Sequence, residues 1–152
     1  MKKIILLSFL IAAYTGSLAQ KSVAADDITG TWISHLEKGH VEITRDGDKY
    51  SGKIIWLKVP TYSDGTPKID KNNPDQTKRE QPLVGLVVLK DLVFVKDHWE
   101  NGSIYDPESG KTYSCRITKK DDKLDLRGYV GVSQIGRTQT WVLLTDNTQA
   151  KQ

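Results

Sequence analysis

Arg127 and Tyr129 alternate on one face of a β-prone segment, and Arg137, Gln139 and Trp141 alternate on one face of the next. Side chains two residues apart on an extended segment point the same way. If both faces turn toward a hollow interior, Arg127, Tyr129 and Gln139 line it, with Trp56, Tyr105, Tyr113 and Trp141 as aromatic walls. Small-molecule sites are built from mostly apolar walls with a few convergent polar groups. A guanidinium among them favours an anionic end on the ligand, because it grips carboxylate or phosphate through paired hydrogen bonds. Leu124, Leu126 and Gly128 occupy the opposite face from Arg127, so a core built on the leucines would leave Arg127 outside. The competing reading makes the arginines structural, stacked on tryptophan to close one barrel end.

Chemistry beyond binding has little support. His35, His40 and His98 are the only histidines. None has catalytic or metal-site spacing, and all three lie at or near turns, where a solvated side chain is the simpler expectation. A zinc site needs three or four ligands, and one cysteine makes the supply thin. Asp64, Asp70, Asn72, Asn73 and Asp75 put hard oxygen ligands in one stretch, yet their spacing lacks the glycine and terminal glutamate of a calcium loop. Asx turns explain the same composition. Asp106 and Glu108 are paired carboxylates inside a turn sequence, Asp-Pro-Glu-Ser-Gly. No serine occupies a nucleophile elbow and no phosphate loop precedes a helix. The expectation is a protein with no metal, no cofactor and no catalysis.

The elements that must position these residues are strands. Period-2 alternation runs through nine segments: residues 30–36, 40–45, 49–57, 83–90, 92–99, 103–106, 111–118, 123–130 and 137–144. Asp-Gly, Asn-Gly and Asp-Pro-x-x-Gly sequences join several of them as hairpin turns. A meander this long must dispose of its edges. An all-β, antiparallel up-and-down barrel of about eight strands does so and can hold one small ligand. Residues 58–82 form the exception, a long loop rich in Pro, Asp, Asn, Lys and Thr, expected to be an ordered flap over one barrel end or, alternatively, a short helical turn starting after Asn73-Pro74.

The first residues read as an export leader: Lys2-Lys3, an apolar run from Ile4 to Ala13, and Ser17-Leu18-Ala19 at a cleavage site. The run is too short to span a bilayer. Cleavage after Ala19 is expected, with Ala24 or Ala25 as the alternative, and a flexible lead-in to residue 27 follows. The single domain then covers 28–146 and a polar tail 147–152. Loss of Lys2 and Lys3, and of no acid, leaves 20 basic against 19 acidic residues from the full chain's 22 and 19. That balance carries no electrostatic footprint for nucleic acid. No disulfide can form within a chain whose only cysteine is Cys115, read as a small buried hydrophobe on the face of Tyr113 and Ile117.

Four stretches in order carry a resemblance. They are Gly30-x-Trp32; Gly52-Lys53-Ile54-Ile55-Trp56 with Asp70-x-x-Asn73-Pro74-Asp75 and Pro82-Leu83-x-Gly85-Leu86; Trp99-x-x-Gly102-x-Ile104-Tyr105-Asp106-Pro107-x-x-Gly110-Lys111-x-Tyr113; and Leu126-Arg127-Gly128-Tyr129 with Gly136-Arg137-Thr138-Gln139-Thr140-Trp141. Together they resemble the exported bacterial family known as domain of unknown function 2147. The resemblance implies an envelope protein with a calycin, lipocalin-type barrel, and it brings no assigned activity. Gly30-x-Trp32 is also similar to the first-strand motif of lipocalins. That likeness implies a late arginine, Arg137 or Arg127, packed across Trp32 at the closed end.

The expectation is therefore a periplasmic or secreted monomer. It has no transmembrane span once mature and no nucleic-acid partner, and it binds a small, partly apolar, anionic molecule. A filled barrel that docks on another envelope component is the alternative, and an enzyme acting on envelope lipid or glycan is a second.

Overall fold

The computed structural model describes residues 22–146. The leader expected at 1–19 and the tail at 147–152 lie outside the described residues. Eight antiparallel strands follow one another: β1 (Gly30–Ile33), β2 (Gly39–Asp46), β3 (Lys49–Leu57), β4 (Val87–Val95), β5 (His98–Asp106), β6 (Lys111–Lys120), β7 (Lys123–Tyr129) and β8 (Gly136–Leu143). Each pairs with the next, and β8 returns to pair β1, so the meander closes into the expected barrel. Among the described residues no helix is long and apolar enough to cross a membrane.

The expected segment 92–99 is divided: its first part continues the segment 83–90 as β4, through Asp91 at φ 57°, and its end joins 103–106 as β5. Asn101-Gly102, expected to turn the chain, lies inside β5, and Lys96-Asp97 makes the hairpin instead. Register slips between Trp99 and Gly102 against β6, and Asn101 has φ 64°. Asn-Gly supplies positive φ to a bulge as readily as to a turn. Gly102 is required there because a Cβ would meet Lys90 O at 2.4 Å.

One end of the barrel is solid. Trp32, Ile43, Tyr50, Leu92, Trp99, Ile117 and Leu124 are buried there with Ile28. Residues 25–27, assigned above to a flexible lead-in, form with Ile28 a 3-10 turn that plugs this end. Buried aromatic polar groups need partners, and the plug supplies them. Trp32 Nε1 donates to Ile28 O at 2.8 Å, Trp99 Nε1 to Ala25 O at 3.1 Å and the Tyr50 hydroxyl to Asp26 Oδ1 at 2.9 Å. Arg45 lies 5.7 Å from the Tyr50 ring centre and also binds Asp26. The arginine stacked on an aromatic ring here is thus Arg45.

His98 is buried, contrary to the expectation of a solvated histidine. Its two ring nitrogens lie 2.8 Å from Asp97 and 3.0 Å from Glu100. This hairpin sits at the plugged end, away from the hollow half. Cys115 is fully buried among the core residues, and burial pushes its thiol up to about 12.

The long loop is ordered. Thr61 bridges Pro67 and Ile69 bridges Pro82, and a 3-10 turn at Gln76–Lys78 follows Asn73-Pro74 as anticipated. The Asp75 side chain accepts from Thr77 N to cap that turn. Its anchor is Asp70, which is fully buried and accepts hydrogen bonds from Tyr105 at 2.7 Å and Asn73 Nδ2 at 2.6 Å. Asn72 reaches across to the carbonyls of Pro107 and Glu108 and so docks the loop on the β5–β6 turn.

Candidate functional site

The other half of the barrel is hollow. A cavity of about 340 Å³ opens at the end where the β1–β2, β3–β4 and β5–β6 connections converge. Val41, Ile54, Val88, Ile104 and Leu126 supply its apolar wall. Its volume lies near the lower end of the range for small-molecule sites.

Strand register decides which candidate residues reach it. In the β7–β8 pair, Leu124 faces Trp141, Leu126 faces Gln139 and Gly128 faces Arg137. Directly opposed residues share a face of the sheet. The leucine face and the Arg137–Gln139–Trp141 face are therefore one inner surface. Tyr105, Tyr113, Arg137, Gln139 and Trp141 all line the cavity. Trp141, 4% exposed, lies deep, and Arg137 sits four residues nearer the mouth.

Arg127 and Tyr129 do not line the cavity, because they alternate with the inward leucines. Arg127 instead holds the β7–β8 connection. Its guanidinium donates to Ser133 O, to Gln134 O at 2.8 Å and to Thr138 Oγ1 at 3.1 Å. Trp56 also turns away. His40 pairs with Trp56 while Val41 pairs with Ile54, so Ile55 is an extra residue that flips the alternation. Leu57 then faces the cavity, and Trp56 stacks outside on His40 with ring centres 4.4 Å apart.

The expected closure of Trp32 by a late arginine is not formed. Trp32 pairs with Leu143, six residues along β8 from Arg137, and the two side chains serve opposite ends of the barrel. The closed end is held by the N-terminal turn and Arg45, which the resemblance did not indicate. The positive-φ bulges and that 3-10 turn have no marker in residue periodicity.

Electrostatics at the mouth are unevenly committed. Glu108 pairs with Lys38 at 2.7 Å across two connections. Asp106 spends its oxygens on Glu108 N at 3.0 Å and Ser109 Oγ at 2.6 Å. His35 also faces the mouth. The loop carboxylates are likewise used locally: Asp64 accepts from Thr66, and Asp75 from Thr77. These bonds hold both carboxyls below the usual range. Among the described residues no group of three or more His, Cys, Asp or Glu side chains is arranged to hold a metal ion.

The fold has a counterpart in a solved structure. A protein from the human pathogen Helicobacter pylori, described as belonging to the lipocalin family, superposes with a TM-score of 0.70 at 26% identity, over 86% of this chain and 89% of that one. No curated protein matches the chain in sequence. A bacterial family described as "Uncharacterized protein conserved in bacteria (DUF2147)" matches residues 30–142, from the first residue of β1 to the last but one of β8, with the long loop between. The chain belongs to that family, on a lipocalin-like barrel.

Proposed function

We propose that the chain is an exported protein that binds a small, partly apolar molecule with an anionic end in the open half of its barrel, without transforming it. One observation carries the binding: a cavity of about 340 Å³, apolar along its walls and open at one end, in a barrel whose other end is plugged. A lipocalin-like neighbour is consistent with a binding role. Export rests on the leader residues Lys2-Lys3, Ile4 to Ala13 and Ser17-Leu18-Ala19. His98, buried between the exposed Asp97 and the half-buried Glu100, lies away from the cavity, which gives a reactive role no substrate beside it.

Native mass spectrometry of protein purified from its own cell envelope tests both halves. A mature chain lacking residues 1–19 and retaining one small mass is expected. Leu126→Trp, which fills the cavity wall, should release that mass while the β circular-dichroism spectrum persists. Full-length protein confined to the cytoplasm would defeat export, and a mass retained equally by Leu126→Trp would defeat the cavity.

The second reading, a surface that docks on another envelope component, draws on Val130, Val132 and Ile135. All three are exposed in the β7–β8 connection, with Leu36 exposed in the β1–β2 connection at the same end. Val132→Asp with Ile135→Asp should remove such an interaction and leave cavity binding unchanged.

A further inference from the structure

We infer that the cavity selects a compact molecule with two separated features. One is a hydrogen-bond acceptor without a donor hydrogen, such as a ketone, ester or ether oxygen, placed deep against Trp141. The other is an anionic group at the mouth on Arg137. This rests on the cavity reading above and deepens it.

The indole N–H of Trp141 carries the first half. It is buried and has no hydrogen-bond partner among the described residues. The other buried tryptophans that hold the plug both have their N–H groups satisfied, at 2.8 and 3.1 Å. Leaving a buried donor unpaired is unfavourable, and native structures seldom do so without a reason. Here the tryptophan lines a cavity open to an incoming molecule. Its neighbours in the inner wall, Leu124 beside it and Val41, Ile54, Val88 and Leu126, carry no side-chain polar atom, and Gln139, the next polar residue on β8, is exposed toward the mouth. A ligand hydroxyl or amide at that depth would satisfy Trp141 and strand its own hydrogen. An acceptor-only oxygen fits without that penalty.

Arg137 carries the second half. Both mouth carboxylates are committed, Glu108 to Lys38 and Asp106 to its own turn. The Arg137 side chain has no hydrogen-bond or ion-pair partner among the described residues, and neither has that of Gln139 between it and Trp141. Arg137, Gln139 and Trp141 thus form one inward row of uncommitted donors on β8. Four residues of strand separate its ends by about 14 Å. That span, with the cavity volume, suits a single short chain or ring system and excludes a bulky two-chain molecule.

Calorimetric titration with three matched compounds tests this. The first, 9-oxodecanoate, has both features; decanoate lacks the ketone; 2-decanone lacks the carboxylate. With the unaltered protein, 9-oxodecanoate should bind roughly fivefold or more tightly than either of the others. Trp141→Phe should erase its advantage over decanoate, and Arg137→Met its advantage over 2-decanone. The comparison among compounds on the unaltered protein stands even if a variant folds poorly. Equal affinity for all three, unchanged in both variants, overturns the two-feature proposal and leaves the cavity reading intact. Binding of none of the three overturns both.

Discussion

Tyr105 and Asp70 are joined by a 2.7 Å hydrogen bond that links the barrel wall to the long loop. The carboxylate is fully buried, and among the described residues its two oxygens accept only from Tyr105 and Asn73. Tyr105 also lines the cavity, so the loop's anchor and the site share one side chain.

Tyr105→Phe leaves one buried carboxylate oxygen without a donor. Hydrogen bonds to charged groups contribute about 1.5–3 kcal/mol, and a loss of that order is expected in urea unfolding. Hydrogen exchange should rise first in residues 70–82, with β2 and β3 still protected. Uniform acceleration across the barrel would show that the bond does not anchor the loop.

Alkaline pH should weaken the fold in two stages. Burial raises the Cys115 thiol from an ordinary value of 9.0 to about 12. Burial first, and the Asp70 hydrogen bond second, raise the Tyr105 hydroxyl above its usual value of 10.0. The fold favours the neutral form of each, so its contribution is complete below the unfolded value and declines as pH rises above it. Each group contributes a slope of up to about 1.4 kcal/mol per pH unit. Cys115→Ala should flatten the decline that begins near pH 9, and Tyr105→Phe its share of the part above pH 10, where the Tyr50 hydroxyl, raised first by burial and then by its bond to Asp26, also contributes. Parallel stability profiles for the three proteins would rule out this assignment.

Arg127→Met should lower stability and leave ligand affinity unchanged. Its three hydrogen bonds all go to the β7–β8 connection and the start of β8. Their loss should cost about 1–2 kcal/mol, read as a lower midpoint in thermal unfolding. Weaker binding of 9-oxodecanoate at unchanged stability would place Arg127 in the site after all.

Gly110→Ala should undock the loop from the β5–β6 turn. Gly110 has φ +69°, and a Cβ there would lie 2.0 Å from Asn72 O. Backbone must move to relieve that contact, at a cost above about 1 kcal/mol. Limited proteolysis should then cut within residues 58–86, where the unaltered protein is expected to resist. Equal resistance in both would show that the Asn72 contacts are dispensable.

The barrel itself was legible in the sequence because alternation, turn residues and edge avoidance agree across the whole chain. The site was legible in part. Arg137, Gln139 and Trp141 were rightly placed on one face, since spacing within a strand needs no partner. Grouping them with Arg127 and Tyr129 required the β7–β8 register, which no single strand reveals; the structure pairs Leu126 with Gln139 instead. Trp56 was misplaced by one extra residue, Ile55, because a bulge inverts every later position of its strand. The unpaired state of the Trp141 N–H follows from three-dimensional packing and has no trace in composition.

The seam between β1 and β8 is short: Trp32 pairs with Leu143 and Ile33 with Val142, and Leu144 N adds one bond to Thr31 O at 2.8 Å. Every other junction joins neighbours in the chain through a hairpin or one long loop, whereas this one joins its two ends. Contacts between distant residues form late, after local ones have restricted the chain. Ring closure is then expected late in folding, made by the smallest patch of strand pairing among the described residues. Until it forms, β1 and β8 are free edges, each able to accept the other from a second chain. Strand exchange between copies, when it happens, should begin at this seam, and the N-terminal turn that bonds Trp32 and Trp99 works against it by fixing β1 in its own barrel.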